Sequence, residues 1–390
     1  MYVPEFDTTS IPYRLLGVSA LERFFDLPLG NPVTVETTAG VVEIAAAFDS
    51  LEFPGLPGWD ARFRSADRDV LLHSVERFHR GAPRAESGEL WTRQGLNHPL
   101  MNLSYDPQRR AFADPTAQYQ YLREARTRLG SRRDRRRVDP AEVEPVEVPG
   151  LDAIEAAVLS ARFPLIPEGY PATVPVWTPV PDLPVTWHRI LLERILSGRF
   201  AWRGMDILHR SGYLADVLPE LAPMDATDHS KEGHPEGNVW RHSLETLRYR
   251  KTPDLLVSLA LILHDAGKPY AEAEGHRKFN RHADIGADLA RKLLHRLEFD
   301  PEMVTAAVWL VRYHMIPGAL EDLPDHRRDP IMDSELFPQL LELYRCDLSS
   351  TFRGPDGYYR ACRVYRRYLK RSRRQKTERS VKRLVELYVE

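Results

Sequence analysis

Cysteine is scarce, with two residues in 390, Cys346 and Cys362. They form no CxxC pair, which excludes a disulfide framework and a cysteine-ligated zinc site and fits a reducing compartment. Long hydrophobic runs are missing too. No stretch is apolar for the length needed to cross a bilayer, and the opening MYVPEFDTT lacks the basic-then-apolar order of a signal peptide. The expected location is therefore cytoplasmic, with no membrane partner. Net charge is small, at -2, but unevenly spread. Residues 359–390 hold twelve Lys or Arg against three Glu, and a second basic run covers Arg132, Arg133, Arg135, Arg136 and Arg137. Such runs are ordinarily solvated faces, and their functional reading is contact with the phosphates of RNA or DNA.

What is present is 43% hydrophobic and 28% charged, enough to bury the cores of two or three domains. Residues 1–129 read as a small α+β unit. Helical spacing covers residues 11–25, and a Val- and Thr-rich alternation over residues 33–44 predicts strands turning at Ala39-Gly40. A hairpin is expected around Asp106-Pro107 and a helix over residues 118–129. Residues 130–185 read as a charged, proline-dense linker with a short helix at 152–162, since Pro171, Pro175, Pro179, Pro181 and Pro184 exclude a continuous helix. From Trp187 onward the chain reads as all-α: a helical region over residues 186–233, a domain over 234–358 and a basic helical tail over 359–390.

The chemistry concentrates in the all-α part. Residues 256–269, LVSLALILHDAGKP, form an apolar helical run ending on His264-Asp265. An adjacent imidazole and carboxylate at the end of a buried helix are costly to leave unpaired, and a metal ion is the expected partner. His242, His282, His314 and Asp347 each lie in or beside another apolar helical run. Imidazoles mixed with carboxylates suit a divalent ion, with Fe, Mn, Ni, Zn and Mg not distinguished by ligand type. Two such ions would activate water and withdraw charge from a phosphoryl oxygen. Lys268 follows closely enough to place positive charge on that oxygen, giving Asp265 and Lys268 as candidate catalytic residues. His276, Lys278 and Arg281 flank His282 as candidate contacts to substrate phosphate, although a solvated loop explains them as well. Taken singly, each histidine is as well explained as a hydrogen-bonded core residue.

This ordered set resembles the HD-domain metal-dependent phosphohydrolases. The pattern of His, His-Asp and Asp falls on His242, His264, Asp265 and Asp347, and the two further ligands of two-metal members correspond to His282 and His314. HPEGNVWRHSLETL, LALILHDAGKP, KFNRHADIGADLA and LVRYHM together resemble the C-terminal half of bacterial tRNA nucleotidyltransferases (CCA-adding enzymes) and poly(A) polymerase-like proteins, over residues 186–350. LNHPLMNLSYDPQRRAFADPTAQYQYLREA is more faintly similar to their nucleotidyltransferase head. The family's polymerase chemistry needs a Gly-Gly or Gly-Ser turn followed by a magnesium-holding Asp-x-Asp. The sole Asp-x-Asp here, Asp67-Arg68-Asp69, follows FRSA and does not match that context. The resemblance thus implies an α+β fold with a degenerate nucleotidyltransferase-like head and an all-α HD domain. It implies two divalent ions and hydrolysis of nucleotide or RNA 3'-end phosphoesters, such as a 2',3'-cyclic phosphodiester, a 2'-phosphate or a phosphomonoester. Two alternatives stay open: an RNA- or tRNA-binding protein with a catalytically idle HD pocket, and a residual tRNA nucleotidyltransferase.

Overall fold

A computed structural model describes residues 3, 6, 9, 11–48, 50–53, 59–65, 68–74, 98–131, 142–180, 183–228, 237–271, 273–274, 278–351, 354–372 and 379–390. The chain divides into two compact units, Met1–Ser211 and Gly212–Glu390.

The first unit is built on a six-stranded mixed sheet in the order β3-β4-β2-β1-β5-β6. Its strands are β1 (Tyr13–Leu16), β2 (Val33–Thr37), β3 (Ala61–Ser65), β4 (Arg68–Ser74), β5 (Ser104–Asp106) and β6 (Ala111–Ala113). Leu15, Val35, Val70 and Leu72 are fully buried at its centre, where β2 pairs antiparallel with β1 and parallel with β4. The expected hairpin is present as β5–β6, and the helix expected over 118–129 is α3 (Tyr119–Leu129).

Two expectations for this sheet fail for local reasons. Residues 11–25 are not one helix. Gly17, at φ 52, ends β1 and starts helix α1 (Val18–Phe24), a turn that favours glycine. The second strand expected within 33–44 is instead helix α2 (Val41–Ala47), because the Gly40 N–H donates to the Glu43 carboxylate at 2.9 Å and closes the helix start.

Residues 142–180 hold more than a linker. Strands β7 (Val146–Val148) and β8 (Leu165–Pro167) pair in parallel across helix α4 (Ala153–Arg162), every residue of which is buried. Asp152 caps that helix by accepting from the Ile154 and Glu155 N–H groups. Its alanine-rich surface admits close neighbours. A Cβ on Gly204 would meet the Ala157 carbonyl at 2.6 Å, and one on Gly198 would meet that of Ala161 at 2.2 Å, so helices α5 (Val185–Leu196) and α6 (Ala201–Arg210) pack tightly on it. Arg162 is ion-paired with buried Glu22 of α1. In the proline-dense segment after residue 170, the described residues 171–180 form no helix or strand, as expected. The arginine run 132–137 lies outside the described residues.

The second unit is helical, so the region expected over 186–233 is shared between the two units. Its helices are α7 (Tyr213–Val217), α8 (Pro223–Ala226), α9 (Val239–Arg248), α10 (Leu255–Leu263), α11 (His282–Arg296), α12 (Pro301–Tyr313), α13 (Asp325–Met332), α14 (Phe337–Ser349), α15 (Asp356–Arg371) and α16 (Arg379–Tyr388), with a short β9–β10 ladder (Ala273–Glu274, Lys278–Phe279) before α11. Helix α10, LLVSLALIL, has no polar stripe and sits among α9, α11, α12 and α14. Helix α15 buries Tyr358, Ala361, Cys362, Tyr365 and Tyr368 and exposes all of its lysines and arginines. The architecture is therefore an α+β unit followed by an all-α unit. Among the described residues no helix is long and apolar enough to cross a membrane.

Candidate metal centre

Five helices of the second unit deliver six side chains to one point. His242 lies in the first turn of α9, His264 caps the C-terminus of α10 with Asp265 next to it, and His282 is the first residue of α11. His314 caps α12, and Asp347 lies near the end of α14. A backbone approach fixes the spacing. A Cβ on Gly267 would stand 2.1 Å from the His282 carbonyl oxygen and 2.5 Å from the Gly286 nitrogen. Two glycines therefore let the first turn of α11 lie directly on the turn that carries His264-Asp265.

Two groupings meet at Asp265. Its Oδ2 lies 3.3 Å from His264 Nε2 and 3.6 Å from His242 Nε2, while Asp347 Oδ1 lies 3.0 Å from His242 Nε2 and 4.0 Å from His264 Nε2. On the other side, Asp265 Oδ1 lies 3.6 Å from His282 Nε2 and 3.9 Å from His314 Nε2. His242, His264 and Asp265 form one set placed to hold a metal ion, and Asp265, His282 and His314 form a second. Among the described residues no other set does so, and the first unit contributes none. There, Asp69 accepts from Arg62 at 2.9 Å, and Asp67 lies outside the described residues.

The histidine tautomers follow from the hydrogen bonds. His264 Nδ1–H donates to the Leu261 carbonyl at 2.8 Å, His282 Nδ1–H to Phe279 at 2.8 Å and His314 Nδ1–H to Val311 at 2.7 Å. With that proton committed, a neutral ring turns a bare Nε2 lone pair inward. His282 and His314 face each other Nε2 to Nε2 at 3.2 Å, and His264 and His242 at 3.4 Å. The facing lone pairs of His282 and His314 repel at 3.2 Å unless a cation lies beside them, so the donor set fits a divalent metal ion.

Electrostatics agree. Burial pushes the His314 imidazole down to about 3, reinforced by the charge of His264. Burial also lowers His282, against the opposing pull of Asp265. Burial would raise the Asp265 carboxyl, but His264 and Lys268 outweigh it and hold Asp265 well below the usual carboxylate range. Asp347 is likewise lowered, with burial overcome by the hydrogen bond and charge of His242. His282 and His314 thus favour the neutral imidazole beside ionised carboxylates, the forms that bind metal.

Lys268 is buried, with Nζ 2.5 Å from Asp265 Oδ2, so its charge is spent on the shared carboxylate in this state. Arg281 is exposed and holds a left-handed backbone, φ 60, at the start of α11. His276 and the Lys278 side chain lie outside the described residues. Ser350 escaped the sequence reading. Its hydroxyl donates to the Asp347 carbonyl at 2.7 Å and lies 3.3 Å from His242 Nδ1, a role signalled only by its place one helical turn after Asp347.

Comparison with known proteins agrees with this geometry. Residues 239–343 match the HD domain family, a span that ends just before Asp347. The chain is 33% identical over 181 residues to the A-adding tRNA nucleotidyltransferase of Deinococcus radiodurans, an alignment covering 44% of this chain and 41% of that one. It is 32% identical over 174 residues to the CC-adding tRNA nucleotidyltransferase of Thermus thermophilus, covering 41% and 38%. The chain thus spans about two fifths of the length of the curated relatives it matches. The crystal structure of the Bacillus stearothermophilus CCA-adding enzyme in complex with CTP aligns with 94% of this chain and 80% of that one, at 15% identity and a TM-score of 0.43.

Proposed function

We propose that the second unit is a metal-dependent phosphohydrolase acting on phosphoesters of nucleotides or RNA 3' ends. The observation that carries the reading is the pair of facing imidazole couples on either side of Asp265. In this reading His242, His264, Asp265 and Asp347 hold one divalent ion, and His282 and His314 hold a second with Asp265 between them. A pair of ions bound there supplies Lewis acidity toward phosphoryl oxygens and a water of lowered pKa. Asp265, common to both sets, would serve both ions. The main-chain carbonyls of Leu261, Phe279 and Val311 keep three imidazoles aimed inward. Lys268, next to Asp265 Oδ2, would offer its ammonium to a phosphoryl group as charge builds there.

An RNA substrate is supported by α15. Arg363, Arg367 and Lys370 recur at i, i+4 and i+7 on its exposed face, where like charges repel unless a polyanion neutralises them. The reading includes a cytoplasmic setting, with both cysteines buried and free.

The relatives named above favour a second reading, nucleotide addition to tRNA. Against it stands the lack of a matching Asp-x-Asp turn in the first unit, and with it the paired carboxylates that hold magnesium for nucleotidyl transfer. One experiment separates the two. The purified chain is loaded with Mn2+, Ni2+ or Zn2+ and given 2',3'-cyclic nucleotides, a generic phosphodiester and, separately, labelled CTP or ATP with a tRNA lacking its 3' end. Opening of the cyclic ester to a phosphomonoester, or alcohol release from the diester, that disappears in Asp265→Asn supports hydrolysis. Label incorporation that survives Asp265→Asn overturns it in favour of addition.

A further inference from the structure

The four inward-facing histidines are not held alike. His264 and His314 sit at helix C-termini, where the last carbonyls of α10 and α12 have no intrahelical N–H to accept, and Nδ1–H of each ring takes one of them, Leu261 or Val311. His282 opens α11 and uses the Phe279 carbonyl just outside the helix. His242 lies inside the first turn of α9, away from any helix C-terminus, and its Nδ1 meets a side chain, the Ser350 hydroxyl, at 3.3 Å.

The hydroxyl has one proton, and the 2.7 Å contact to the Asp347 carbonyl takes it. Ser350 Oγ is then placed to accept from His242, and a His242 whose Nε2, 3.0 Å from Asp347 Oδ1, gave its lone pair to a cation would carry its hydrogen on Nδ1, where that oxygen receives it. Both Ser350 and His242 are buried, leaving water little access to replace the contact. The same serine thus ties His242 to the residue that shares its metal position, through the Asp347 main chain.

We propose that Ser350 is the positioning residue for one metal position of the pair, setting the tautomer of His242 and its alignment with Asp347, while the His282–His314 position does not depend on it. The proposal rests on the metal reading above. Loss of an outer hydrogen-bond partner to a metal-binding histidine costs about 10- to 100-fold in affinity, so the effect falls on one ion and spares the other.

The test is calorimetric titration of the metal-free full chain with Mn2+. Wild type is expected to take two equivalents. Ser350→Ala is expected to retain one at wild-type affinity and bind the other 10- to 100-fold more weakly, and Ser350→Thr, which keeps the hydroxyl, to restore both. A wild type that binds no Mn2+ overturns the metal reading itself. A wild type that binds two, with Ser350→Ala matching it or weakening both positions equally, overturns the role of Ser350 alone. Nitrogen NMR of the wild-type Zn2+-loaded chain checks the tautomer with no variant: a proton on His242 Nδ1 is expected, and one on Nε2 overturns the proposal.

Discussion

A Cβ added to Gly267 would stand 2.1 Å from the carbonyl oxygen of His282. The contact is backbone to backbone, so no side chain can swing away to relieve it. Gly267→Ala must push the start of α11 off the His264-Asp265 turn. The expected cost is about 1–3 kcal/mol of stability, as for overpacking elsewhere. Denaturant titration reads that cost, and metal analysis should show the His282–His314 position losing its ion first. Unchanged stability and metal content would mean the turn is looser than this geometry.

Lys268→Met removes the cation paired with Asp265 and leaves the buried carboxylate uncompensated. The metal-free variant should lose on the order of 3 kcal/mol. Added metal restores a positive partner, so the rise in melting temperature on metal addition should be larger in Lys268→Met than in wild type. Equal rises in the two proteins would show that the Lys268–Asp265 pair contributes nothing in the metal-free state.

Acid should destabilise the metal-free protein before carboxylates titrate. The folded His314 is held down to about 3 against an ordinary value of 6.5, so between those values the unfolded chain takes up a proton that the folded chain refuses. Stability is full above about 6.5 and falls as pH drops toward 3, with His282 acting in the same direction. Asp265 and Asp347, whose folded values are depressed, add their loss at the lower end. Denaturation midpoints across this range, compared with those of His314→Gln, check the sign: the slope should flatten in the variant.

Reversing the charge of Arg363, Arg367 and Lys370 to Glu should weaken RNA binding while leaving metal content unchanged. Each phosphate contact to single-stranded RNA contributes about 0.7 to the slope of log affinity against log salt. Losing three should flatten that slope by roughly 2. Binding titrations at several salt concentrations measure it, and an unaltered slope removes α15 from the RNA surface.

The metal-competent residues were legible because each ends or begins an apolar helical run, and helix ends are where side chains converge. The apolar run of residues 256–269 announced a helix buried on all sides, and α10 is one. Local overrides hid the rest. Gly17 interrupts a run whose spacing looks helical on either side, and Glu43 turns a valine-rich segment into α2 by capping Gly40. Residues 152–162 read as a short helix in a linker, whereas the small size of its alanines is what lets α6 pack against it. Ser350 could not be read in advance, since its partner lies 108 residues away.

Three of the four inward-facing imidazoles are oriented by main-chain carbonyls, which every amino acid supplies alike. Point substitution at Leu261, Phe279 or Val311 leaves the acceptor in place, so most of this constellation tolerates genetic drift in its supports. At His242 the orienting atom belongs to a replaceable side chain. Selection acting on variants of this chain should therefore weigh far more heavily on Ser350 than on the residues that support the other three histidines.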